Sequence, residues 1–198
     1  IERIYREYIE VWHNAINYQS RYSISGQKLN ILLVSPLPPP VGGIASWTPN
    51  ILEYFENEAF HVRLNILNSA PKGKSITSNS QVKRFYSGIF NFIWMIFEFR
   101  KMIKSRKPLL IHLVSSSSLA LFKDFFLIRL AKWFRIPVIM HWRFGRIPSL
   151  AKKKNWEWNL LNAVIKRSVL SIVIDSRSYK ALRDTGFTNV VNIPNPMG

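Results

Sequence analysis

Three short segments bring together side chains or bare backbone that could do chemistry. In Met140-His141-Trp142-Arg143-Phe144-Gly145-Arg146-Ile147-Pro148, one imidazole and two guanidiniums follow an apolar run. Such groups donate to hydroxyl and phosphate oxygens, so the segment suits a sugar or a phosphate. In Ser35-Pro36-Leu37-Pro38-Pro39-Pro40-Val41-Gly42-Gly43-Ile44, prolines stiffen the backbone ahead of two glycines. Glycines there let bare N–H groups approach an anion at a helix N-terminus. A tight strand-to-helix turn with no ligand explains Gly42 and Gly43 about as well, and both readings stand. The pair is not the G-x-G-x-x-G fingerprint, which argues against a nicotinamide or flavin enzyme.

The third segment, Asn68-Ser69-Ala70-Pro71-Lys72-Gly73-Lys74-Ser75, ends like a phosphate loop but has Asn68 where the first glycine belongs. The residues after it, Ile76-Thr77-Ser78-Asn79-Ser80, make a poor helix start, so no helix terminus would complete a phosphate cradle. It reads as a flexible basic loop. With no Cys, and four His without H-E-x-x-H spacing, the sequence offers neither disulfides nor a zinc site. No metal is expected, and a reducing, cytoplasmic setting fits.

These segments need elements to hold them. Ile1, Ile4, Tyr5, Tyr8, Ile9, Trp12 and Ile16 recur at helical spacing, which predicts an amphipathic helix over residues 1–22. Short apolar runs then alternate with helical segments. Strands are expected at 29–34, 61–67, 109–114, 137–141, 170–174 and 190–193, with helices at 44–56, 82–104, 119–134, 155–167 and 176–185. Residues 142–153 read as a loop. That alternation means an α/β fold: a Rossmann-like, open parallel sheet with helices on both faces. Such sheets bind ligands outside the carboxyl ends of their strands, where the segments after residues 34 and 141 both fall.

A chain of 198 residues, 47% hydrophobic, suffices for one core. The expected division is an N-terminal helix and linker over 1–28, one Rossmann-like domain over 29–194, and the start of an interdomain linker at 195–198. The sequence opens on Ile1 with no visible signal peptide and closes on Pro194-Asn195-Pro196-Met197-Gly198, so it reads as an excised piece. Its longest apolar stretch, Phe85 to Phe97, is interrupted by Ser87, Gly88 and Asn91 and falls short of the roughly 20 residues a bilayer span needs.

Lys and Arg number 28 against 11 Asp and Glu, a net +17 that concentrates anionic partners at the surface. Nucleic acid, anionic lipid and sugar phosphates all qualify. The excess is distributed from Lys72 to Arg183 rather than gathered in a disordered tail, and a solvated cationic surface explains much of it.

Taken in order, Leu33-Val34-Ser35, Pro38 to Ile44, Ile111-His112-Leu113, His141 to Pro148, Ile174-Asp175-Ser176 and Asn189 to Pro196 resemble the N-terminal domain of GT-B retaining glycosyltransferases. The likeness is to the family 4-like group that includes sucrose synthase and bacterial polysaccharide enzymes, and it spans roughly residues 29–198. The resemblance implies a two-domain enzyme, with the acceptor held by this half and the nucleotide sugar by a C-terminal half that is absent here. It implies that Gly42 and Gly43 meet the donor phosphates. It places a catalytic-face residue on His141 or Arg143, between which register does not decide. Arg146 and Gly145 would contact donor phosphate or acceptor, and Asn195 would begin the hinge.

The expected function is transfer of a sugar from a nucleotide donor to a lipid-linked glycan acceptor in polysaccharide or cell-envelope assembly, with no cofactor. Arg143 and Arg146 would balance the charge of the leaving phosphate. Docking on an anionic membrane at the inner face of the cytoplasmic membrane is expected, through residues 82–107. There Phe85, Ile89, Phe92, Ile93, Ile96 and Phe99 would face the core, leaving Trp94, Phe97 and the cations from Arg100 to Lys107 outside. A nucleic-acid module and a non-catalytic Rossmann-like domain are the alternatives. Nucleic acid is disfavoured because most aromatics sit in apolar runs.

Overall fold

The computed structural model describes residues 2–19, 29–38, 43–57, 62–70, 81–115 and 120–195. Six strands, β1 (Leu29–Ser35), β2 (Val62–Asn68), β3 (Leu110–Ser115), β4 (Val138–Trp142), β5 (Leu170–Val173) and β6 (Val190–Asn192), form one sheet in the order β2-β1-β3-β4-β5-β6. Every pairing is parallel. Parallel strands are covered on both faces, and the apolar runs of β1, β3 and β4 are accordingly buried almost throughout.

Strand alternation sorts the covering helices into two layers. Leu29, Ile31 and Leu33 of β1, Leu110 and Val114 of β3, and Ile139 of β4 face α1 (Glu2–Gln19) and α2 (Gly43–Asn57). Those helices answer with Tyr5, Tyr8, Trp12, Trp47, Ile51 and Phe55. Leu32, Val34, Ile111, Leu113, Val138, Met140 and Trp142 point the other way. They meet α3 (Gln81–Arg106), α4 (Ala120–Trp133), α5 (Ile147–Lys153), α6 (Trp156–Ile165) and α7 (Ser176–Asp184). The strand order reverses between β1 and β3. An open sheet of this kind leaves its ligand crevice at the carboxyl ends beside that point.

Two departures from the sequence reading have physical causes. Residues 147–153, expected as loop, form α5. Proline is tolerated in a first helical turn because its missing N–H would be unbonded there anyway, and Ile147 and Leu150 bury one face three residues apart. The helix stops at Lys154, whose left-handed backbone (φ 48°) lets its N–H bond the Leu150 carbonyl. In α3 the buried stripe is Met95, Phe99 and Ile103, whereas Ile89 and Ile93, expected inside, are exposed and Trp94, expected outside, is partly buried against the core. Both sides of that helix are apolar, so periodicity alone cannot choose between them.

Asn155 caps α6 by accepting from the Trp158 N–H (3.2 Å), and Asp175 caps α7 by accepting from the Ser178 N–H (2.8 Å) and hydroxyl (2.7 Å). No described helix is long and apolar enough to cross a membrane.

Candidate functional site at the carboxyl ends of the strands

The carboxyl ends of β1, β3 and β4 are braced by hydrogen bonds. The Ser69 N–H donates to the Ser35 carbonyl (3.0 Å), and the Asn68 carboxamide oxygen accepts from the N–H groups of Leu37 (3.0 Å) and Ala70 (2.9 Å). The chain leaving β1 is thereby tied to the chain leaving β2. Ser35 and Thr48 share a buried hydroxyl–hydroxyl bond of 2.7 Å that fixes α2 against β1. After β4, the Arg143 N–H donates to the Ser115 carbonyl (2.9 Å), which holds the start of the basic loop against β3.

His141 and Arg143 come together here, but not as equals. His141 points from β4 toward α1 and α2 and has no exposed surface. The Trp12 indole N–H donates to His112 Nδ1 at 3.0 Å, and His112 Nε2 lies 3.3 Å from His141 Nδ1. An indole can only donate, so in the neutral ring His112 carries its proton on Nε2 and gives it to His141 Nδ1. His141 then carries its own proton on Nε2, a buried atom without a hydrogen-bond partner among the described residues. Tyr8 and Trp47 enclose the ring, with centroids 5.7 and 5.1 Å away.

Burial, with the nearby Arg143 charge, pushes His112 down to about 3. It holds His141 well below the usual histidine range, helped by His112 and Arg143. Both rings are therefore neutral at pH 7, and neither reaches solvent. The Arg143 guanidinium lies over the Trp47 ring at 4.8 Å, and the residue is partly exposed although its Nε and Nη1 are buried. Burial lowers it to about 10, against the opposing pull of Tyr8 and Tyr5, so it stays a cation at pH 7. The arrangement puts a permanent positive charge at the strand end, backed by a dry wall of neutral rings.

Of the remaining candidates, Arg146 is exposed and sits 3.4 Å from Glu157 of α6. Gly145 is exposed, and a Cβ there would meet nothing within 4 Å, so packing does not demand glycine. Gly43 is the first residue of α2. Gly42 lies outside the described residues, as do the basic loop 71–80 and Ser116, Ser117 and Ser118. Asn195 is exposed beyond β6. Among the described residues, no group of three His, Asp or Glu could hold a metal.

Sequence reasoning placed Tyr8 and Trp12 on the apolar stripe of the first helix and His112 in the resemblance, but gave no site role to them, to Trp47, which completes the wall, or to Asp124 of α4. That carboxyl is buried, raised by desolvation, with Lys123 Nζ 3.7 Å away and the Ser115 hydroxyl on its side of β3 opposing the rise. The available signal was His112 and His141 themselves: each interrupts an otherwise apolar central strand, on the same face. A cavity of about 1330 Å³ opens at the opposite end, at the amino ends of β4, β5 and β6. Part of its polar wall is engaged, with Arg167 bonded to the Ala163 carbonyl and Asn189 to the Ile165 and Ser168 carbonyls, and we place no chemistry there.

No family model and no curated protein matches the chain. Among solved structures it is similar to Glycyrrhiza uralensis UGT73P12, crystallised with glycyrrhetinic acid 3-O-monoglucuronide. The TM-score is 0.54 at 8% identity, over 85% of this chain and 49% of that one. The likeness is one of fold. The six-stranded parallel sheet between two helical layers is Rossmann-like and matches one half domain of the GT-B architecture. The chain spans about half the length of that protein.

Proposed function

We propose that this chain is the N-terminal, acceptor-side half of a GT-B glycosyltransferase of the family 4-like, polysaccharide-building kind. It would take a hexose from a nucleotide sugar and pass it to a lipid-linked glycan at the inner face of the cytoplasmic membrane. One observation carries the reading: the loop leaving β4 of a GT-B-like half domain holds two guanidiniums, Arg143 and Arg146, at the ligand-binding edge of the sheet.

In such a transfer an acceptor hydroxyl bonds to the anomeric carbon, and its proton passes to the departing phosphate, as the bond from that carbon to the phosphate oxygen breaks. The departing nucleotide carries away the electron pair as negative charge. A fixed cation beside that oxygen stabilises the transition state more than the ground state. Arg143 suits this role because it is partly exposed and stacked on Trp47, whereas His141 has no surface with which to meet a ligand. His141 is accordingly a positioning residue in this reading, acting through the ring wall behind Arg143. Arg146 and Gly145 would meet donor phosphate or acceptor. Gly42 and Gly43 would turn backbone N–H groups toward the donor phosphates, which a second domain joined near Asn195 would hold.

The test is turnover of nucleotide sugar by the full-length protein carrying Arg143→Gln or Gly43→Val. Losing one such stabilising group is expected to lower kcat about 10²–10³-fold with unchanged circular dichroism. Normal turnover by both folded variants would remove this edge of the sheet from the chemistry.

A further inference from the structure

The large hydrophobic residues exposed among the described part of the chain all lie on three neighbouring helices, α3, α4 and α6. On α3, Phe90, Ile93 and Phe97 are 71%, 60% and 69% exposed and follow one another at helical spacing. On α4, Phe122 and Phe126 do the same one turn apart. The stripes are joined. Phe92 meets Phe126 edge-on at 5.4 Å, and Phe122 stacks on Trp156, the first residue of α6, also at 5.4 Å. Scattered surface apolar residues need no explanation, but a continuous aromatic ridge across three helices marks an interaction surface.

Cations continue both stripes. On α3, Arg100, Lys101 and Lys104 follow Phe97, and on α4, Arg129 and Lys132 follow Phe126, all of them exposed. Arg100 lies 5.6 Å over the ring of Trp133, which ends α4 and is itself exposed. The acidic residues described on these helices are Glu98, Asp124 and Glu157. Each is within ion-pair reach of its own cation and only slightly exposed. The ridge is therefore apolar toward the carboxyl ends of the strands and carries an excess of cations toward their amino ends, where Glu98 pairs with Lys101 and no ion pair is formed by Arg100, Lys104, Arg129 or Lys132 among the described residues.

We propose that this ridge docks the protein on an anionic lipid bilayer, with the aromatic segment entering the interface and the cations resting on headgroup phosphates. Aromatic and aliphatic side chains segregated from a basic flank are what an interfacial element presents. Nucleic-acid stacking would instead set aromatics among cations along a groove. The orientation follows. Trp156 stands next to Glu157, the partner of Arg146, so the apolar end of the ridge adjoins the β4 loop. On the glycosyltransferase reading above, the bilayer would deliver a lipid-borne acceptor to that loop, whereas docking itself does not depend on that reading.

The experiment is flotation of the chain with vesicles of phosphatidylcholine alone or with phosphatidylglycerol added, at low salt and at 1 M salt. Screening shortens from about 8 Å at physiological salt to about 3 Å at 1 M, so binding to the anionic vesicles is expected at low salt and is lost at high salt. Lys101→Gln, Lys104→Gln and Lys132→Gln together should weaken partitioning about a hundredfold, roughly fivefold for each cation. Phe90→Ser with Phe97→Ser should weaken it about a hundredfold or more, since two large apolar side chains no longer enter the interface. All five positions are exposed, so circular dichroism should not change. Equal flotation on both vesicle types, or none on either, would overturn the proposal. So would anionic binding unaffected by the two serine substitutions, which would place the contact on another face. A dimer in light scattering that those substitutions dissociate would also overturn it, assigning the ridge to a second copy.

Discussion

The two faces of the sheet bury their interiors by different means. Beneath α1 and α2 the core is aromatic and polar, with a chain of hydrogen bonds from Trp12 through His112 to His141, rings packed around it, and Arg143 at its edge. Beneath α3 to α7 the core is largely aliphatic, with Phe99, Trp142, Trp158 and Phe187 buried in it, and the exposed aromatic residues stand on the outer surface of that layer. Strand alternation permits this, because His112 and His141 project to one face while their neighbours Ile111, Leu113, Met140 and Trp142 project to the other. A buried polar chain fixes one arrangement, since a displaced partner leaves an unpaired atom in a dry place. That precision lies on the face that stands behind the basic loop. The opposite layer is free to dedicate its outer surface to a partner.

The sharpest way to break the contrast is Trp12→Ala. It removes a fully buried indole and strands His112 Nδ1, so a loss of about 3–5 kcal/mol in urea unfolding is expected. A loss below about 1 kcal/mol would mean that α1 only leans on the sheet.

Acid comes next. Both histidines are held neutral in the fold, so between about pH 6.5 and pH 3 the unfolded chain binds protons that the folded chain refuses. Their contribution is complete above the unfolded value and falls as the pH drops. The loss is about 1.4 kcal/mol per pH unit for each ring. Arg143 stays charged throughout and adds to the cost of protonating either ring, while Tyr5 and Tyr8 stay neutral. Asp124, raised by burial, takes up its proton earlier in the fold than in the unfolded chain and so softens the fall. Urea midpoints between about pH 7 and pH 5 should show the slope, and His141→Phe should reduce it by about half. An unchanged slope would mean that His141 titrates normally.

The smallest effect belongs to the outer face. Phe97→Ser should shift stability by less than about 0.5 kcal/mol, because its ring is already in water. A large loss would show that the ridge is part of the core.

Much of the fold was legible because parallel strands buried on both faces must be short apolar runs, and Leu29 to Val34 and Leu109 to Val114 are such runs. α5 was not legible, since Pro148 and the lysines at 152–154 resemble a loop until Ile147 and Leu150 are seen to reach the core. In α3, Phe97 was rightly placed outside. Ile89 and Ile93 were not, because only the position of α4 decides which of two apolar stripes is covered. At the site, the sequence picked out the β4 loop by its topological position and its guanidiniums. It could not show that His141 is sealed by Tyr8 and Trp47, which lie far earlier in the chain and meet it only once α1 and α2 pack on the sheet.

The central claim, that this half carries the acceptor side and leaves nucleotide-sugar binding to a second domain, is tested most directly by calorimetric titration of the chain with common nucleotide sugars. The account predicts no binding tighter than about millimolar, a free energy weaker than roughly 4 kcal/mol. Micromolar binding by the chain on its own, lost in Arg143→Gln, would contradict it by placing the donor site on this half.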